Sequence, residues 1–183
     1  MNIALLIRAL WPNGNGPKCP QVYALLDGAR NDAIAPAIWL SNLPSTCLYA
    51  GSLSRSLERA APYLVQLAPE SRFFNTFVTT GWGQAWGIFA IAQPDVTLKV
   101  LRKHFRTLLC VQDTEGQSIV FRYYDPRVLR AYMPTCEPSE IAKMLGPAMR
   151  LTCESDEGDM LLTFGPTLNE RVSLTGVSDA DYS

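Results

Sequence analysis

Residues 118–129, SIVFRYYDPRVL, run from strand-like to helix-like sequence across a single Asp-Pro pair, and the chain is read outward from them. From Ile119 to Tyr124 a strand would place Ile119, Phe121 and Tyr123 on one face and Val120, Arg122 and Tyr124 on the other. Arg122 is thereby directed toward one layer of the fold. Asp125 suits a helix N-cap, where its carboxylate accepts backbone N–H groups at the positive helix end. Pro126 suits the first helical position, which needs no N–H. Asp125 and Pro126 thus read as a structural strand-to-helix motif. The guanidinium forks of Arg122 and Arg127 can pair internally or with a partner.

Upstream of this motif, short apolar runs at 22–26, 46–50, 63–67 and 86–92 read as strands. Between them lie helical patterns at 36–40, 52–60 and from Pro69 to a stop at Gly81. A longer helix is predicted over 95–107, capped by Asp95, with Leu98, Leu101, Phe105 and Leu108 on one face and Lys99, Arg102, Lys103 and Arg106 on another. Residues 108–112 and 118–124 flank the turn DTEGQ as a hairpin. A helix at 138–145 ends at Gly146, and 150–153 with 160–164 form a second hairpin around ESDEGD. Alternating strands and helices predict an α/β layered domain with a mixed, mostly parallel central sheet, flanked by helices and finished by a C-terminal hairpin. The expected organisation is an N-terminal segment and loop at 1–20, a single domain at 21–165 and a polar tail at 166–183. The loop PNGNGPKCP at 12–20, with three prolines and two glycines, cannot form regular structure.

At 183 residues, 48% hydrophobic and 18% charged, the chain has the length and composition of one packed domain. A formal charge of -1 offers no global attraction to nucleic acid or to anionic lipid. Cys19, Cys47, Cys110, Cys136 and Cys153 are odd in number and widely spaced, which suits reduced thiols in a cytosol and excludes a CxxC metal knuckle. The apolar N-terminus MNIALLIRALW lacks a basic leader and a small-x-small cleavage site, and no apolar run is long enough to span a bilayer. A soluble cytoplasmic protein is expected.

Catalytic signals are sparse. The one histidine, His104, lies in the basic helix without a G-x-S-x-G elbow, which argues against a Ser-His-Asp hydrolase. GWGQAWG at 81–87 lacks the spacing and lysine of a phosphate-binding P-loop, and no metal or cofactor is expected. Trp82 and Trp86 in that stretch serve either as core anchors or as a contact patch. Asp27, at the end of the first strand, stands where α/β enzymes often keep a carboxylate, but Asp27-Gly28 also makes an ordinary turn. The stripe Lys99, Arg102, Lys103 and Arg106 is a solvated face or a docking surface for an acidic partner.

The ordered set YALLDGA (23–29), LYAG (48–51), APYLVQL (61–67), GWGQAWGIFA (81–90), LRKHFRTLL (101–109) and FRYYDPRVL (121–129) resembles the type VI secretion effector chaperones, or adaptors, classed as domain of unknown function 4123. The resemblance runs from about Tyr23 to Pro166. It implies a cytosolic, non-catalytic adaptor that binds a toxic effector and helps load it onto the VgrG spike; a groove edged by aromatic residues and the motif arginines is expected to hold the effector's N-terminal segment. Arg122, Tyr124, Arg127, Trp82, Trp86 and Arg102 are the residues expected to meet partners. Family members carry a helical C-terminal lobe as well, and this chain has little sequence after residue 137 to build one. Two other readings stay open: an α/β enzyme with a carboxylate site near Asp27, and an immunity-type protein that binds a toxin to inhibit it.

Overall fold

Gln21–Asp27 (β1) is apolar at nearly every position because both of its faces are covered. Val22, Ala24 and Leu26 face one layer of helices, and Tyr23 and Leu25 face the other. This sandwiching recurs along the chain in a computed structural model that describes residues 1–112, 115–167 and 169–175. In chain order the elements are α1 (Ile3–Leu10), β1, α2 (Ile34–Leu40), β2 (Ser45–Cys47), α3 (Arg55–Ala60) and β3 (Pro62–Gln66). Next come α4 (Arg72–Thr76), extended by a wide turn at Phe77–Gly81, then β4 (Gly87–Ala92), α5 (Leu98–Thr107), β5 (Cys110–Gln112) and β6 (Ser118–Val120). The chain continues with α6 (Pro126–Tyr132), α7 (Pro138–Leu145), β7 (Ala148–Glu154), β8 (Met160–Phe164) and β9 (Asn169–Ser173).

Seven strands form one sheet in the order β2-β3-β1-β4-β7-β8-β9, and β5 and β6 form a separate hairpin. Every pairing is antiparallel, which corrects the expectation of a mostly parallel sheet. The reason for the error is physical. Continuous apolar strands usually mark parallel sheets, because helices cover both faces of those sheets; here an antiparallel sheet is covered the same way. Leu6, Leu10 and Trp11 at α1, Ile34 and Ile38 of α2, and Phe73 and Phe74 of α4 pack on one face. Leu101 and Phe105 of α5, Leu129 of α6, and Met144 and Leu145 of α7 pack on the other.

The two ends of the chain join the folded body. The N-terminal segment belongs to the folded body, because Asn2 caps α1 and the helix buries Leu6 and Leu10. The expected C-terminal hairpin is part of the main sheet, β7 pairing with β4. The expected polar tail contributes β9 as an edge strand and the buried Leu174, whose carbonyl accepts from Asn2 N–H; residues 168 and 176–183 lie outside the described residues. The hairpin before the motif is shorter than predicted and ends at Val120, and Asp113 and Thr114 of its turn also lie outside the described residues. The long basic helix starts at Leu98 under a Thr97 cap, not at Asp95. Among the described residues no helix is long and apolar enough to cross a membrane.

Candidate functional site

Because β6 stops at Val120, the alternation expected through Tyr124 fails, and residues 121–125 form a turn that crosses the end of the sheet. Tyr123 and Tyr124 are consequently both buried, while Arg122 stays at the surface. Tyr123 lies over Phe105 with ring centroids 6.0 Å apart and donates its hydroxyl to the Phe105 carbonyl at 2.8 Å, tying the turn to α5. Burial pushes the phenols of both tyrosines well above their ordinary range, so both stay protonated. Tyr124 is therefore a core residue beside the site.

Two carboxylates hold the two arginines of the motif. Asp27, at the end of β1 and 1% exposed, pairs with Arg122 Nη2 and accepts the Ala29 N–H at 3.1 Å. Burial pushes the Asp27 carboxyl above its usual range, and the Arg122 guanidinium offsets part of that shift. Asp125 is the N-cap of α6, with Pro126 as the first helical residue. Its Oδ1 accepts the Arg127 backbone N–H and Nε, each at 3.0 Å, and its Oδ2 accepts Arg127 Nη2 at 2.5 Å. Burial raises the Asp125 carboxyl, but the Arg127 bonds outweigh it and leave its pKa below the ordinary value. The side chains of Arg122 and Arg127 remain 45% and 54% exposed, so each presents a positionally fixed cation to solvent.

The tryptophan stretch adjoins this end of the sheet. Trp86 is buried and packs over Gly81, where an added Cβ would overlap the indole, so it is a core anchor. Trp82 is half-buried, stacks on Phe89 at 6.2 Å and donates Nε1–H to the Gly158 carbonyl at 2.7 Å. Glu154, which the sequence did not single out, organises the loop: its carboxylate accepts from Gly83 N–H at 2.5 Å and Ala85 N–H at 3.0 Å. Those bonds hold Ala85 at a φ of 55°, a conformation that a side chain disfavours. Arg130 of α6 joins the same end by donating to the Glu154 carbonyl at 2.8 Å and pairing with Asp156. No local signal links residues 70 positions apart, and only the antiparallel sheet brings β7 beside the start of β4.

Arg102 stands apart, on α5, where its Nε donates to the Cys47 carbonyl at 2.9 Å. His104 shares that helix and contacts the Met144 carbonyl at 3.2 Å through Nε2. Beside the motif, a cleft of about 590 Å³ is lined by Phe121, Asp125, Arg127, Val128, Ala131, Tyr132 and Thr135. Asp27 lies outside that lining and is occupied by Arg122 and Ala29, which leaves it placed as an anchor. Among the described residues, no group of three or more His, Cys, Asp or Glu side chains is arranged to hold a metal ion.

No curated protein and no solved structure matches this chain. Residues 22–143 match a family model described as a domain of unknown function, DUF4123. That span holds both carboxylate-arginine pairs and the tryptophan stretch, and it covers more than half of the sequence: the chain belongs to the DUF4123 family.

Proposed function

We propose that this protein is a cytoplasmic adaptor that binds a secreted toxic effector of a type VI secretion system and helps load it onto the VgrG spike. One observation carries the reading. The most distinctive motif of the chain spends two buried carboxylates on holding Arg122 and Arg127 at the surface, beside the cleft on α6. A binding surface uses fixed cations in this way, with apolar side chains supplying affinity and charge selecting the partner. Phe121, Val128, Ala131 and Tyr132 supply the apolar part, and in this reading a short segment of the effector's N-terminal region lies against them.

Co-expression tests the proposal. The tagged chain is produced with the toxin encoded beside it and with the spike protein, and the toxin is assayed in the purified complex. The expected result is a retained, still active toxin, with retention lost in Arg127→Glu while the thermal transition stays within a few degrees of the parent. A chain that retains neither toxin nor spike overturns the reading. Retention with abolished toxin activity replaces it with an immunity function.

A further inference from the structure

Lys99, Arg102, Lys103 and Arg106 recur at intervals of three and four along α5 and so form one stripe, while Leu101 and Phe105 bury the other side of the helix. The stripe covers about 10 Å of helix axis. None of the four forms an ion pair among the described residues, whose salt bridges are made by Arg122, Arg127 and Arg130. Four cations without counter-ions repel one another, and the chain concentrates them here although its net charge is -1. A cleft of about 580 Å³ lies along the stripe, and Val100, 47% exposed, sits among the cations that line it. An exposed apolar side chain beside the cations suits a protein partner, whereas a phosphate backbone requires none.

Three of the four acidic side chains in the chain's own run at 154–159 are already engaged, and Glu157 is exposed. Glu154 holds the tryptophan loop, Asp156 pairs with Arg130, and Asp159 accepts from Ser155 Oγ. That run of a second copy would offer a single unengaged carboxylate, a poor complement to four cations. We propose that the outer face of α5 docks an acidic segment of another protein, a helix that presents Asp or Glu at matching three- and four-residue intervals along this stripe. The surface is separate from the cleft on α6, so it stands whether or not that cleft holds an effector.

Fluorescence anisotropy with the full chain tests this inference. One labelled helical peptide carries Glu in a single stripe, a second has the same composition with Glu scattered round the helix, and the third probe is a short single-stranded DNA. The striped peptide is expected to bind at least about fivefold more tightly than the scattered one, and Lys99→Glu with Lys103→Glu to weaken it about tenfold, in line with a few exposed ion pairs. Equal binding of the two peptides overturns the proposal, as does tighter binding of the DNA. Self-association of the parent chain that the charge reversal abolishes also overturns it, in favour of a second copy. If the reversed variant melts early, Lys99→Gln with Lys103→Gln decides: about threefold weaker binding supports the site, and unchanged binding refutes it.

Discussion

Arg122 and Arg127 carry the same charge, four residues before Pro126 and one after it, yet their loss has different consequences. Removing Arg122 leaves the Asp27 carboxylate buried with only the Ala29 N–H as donor. Removing the Arg127 side chain leaves Asp125 its backbone N–H, and a cap of that kind keeps most of its value. Arg122→Ala is therefore expected to cost about 1–3 kcal/mol, reduced at the high end because Arg122 is half-exposed, and Arg127→Ala less than about 1 kcal/mol. Urea unfolding midpoints at pH 7 measure both. The pH dependence follows from Asp27, whose folded pKa already lies above its unfolded value and rises further without the guanidinium. A group with a raised folded pKa contributes stability that is present below the unfolded pKa and lost as pH rises through the folded one. The deficit of Arg122→Ala should accordingly be greatest near neutrality and shrink as pH falls through the carboxylate range, where a protonated Asp27 needs no counter-ion. A deficit that is constant from pH 7 to pH 4 would remove Asp27 from the explanation.

At the scale of elements, strand and helix positions were largely legible, because apolar runs and prolines act locally. Pro138–Leu145 with its stop at Gly146, and the apolar run of β4, are readable from the residues themselves. Strand direction was not legible: burial of both faces erases the alternation that distinguishes an antiparallel sheet, and Leu25 and Leu26 read alike although they face opposite layers. The pairing of Asp27 with Arg122 was equally hidden, since the two are distant in sequence and each has an adequate local reading. The glycines show how close the elements lie. Gly87 starts β4 against β1, where an added Cβ would overlap the Leu25 carbonyl, while at Gly83 it would meet nothing within 4 Å and face only the cost of a φ of 77°. Gly87→Ala is expected to destabilise by at least about 3 kcal/mol and Gly83→Ala by about 1 kcal/mol. Thermal melts of the two variants compare them directly, and equal melts would mean that the β1–β4 contact is looser than described.

For the whole molecule, the family match and the folding unit have different limits. Residues 22–143 contain the motif and the tryptophan stretch, but they omit α1 and the three strands β7, β8 and β9. β4 sits in the middle of the sheet only because β7 pairs with its far edge, and β7 supplies Glu154 to the loop that precedes β4. Leu6, Leu10 and Trp11 close one core, and Leu151, Cys153 and Phe164 close the other. At about 1.5–3 kcal/mol for each large apolar side chain returned to water, losing both sets removes on the order of 10 kcal/mol, comparable to the entire stability of a typical domain. A chain cut to residues 22–143 is therefore expected to lose cooperative unfolding and to aggregate through the bared edge of β4. Circular dichroism melts with sedimentation of the fragment and the full chain decide the matter. A monomeric 22–143 fragment with a sharp transition would show that the outer strands decorate a core already complete without them, and that Glu154 is dispensable for placing the tryptophan loop.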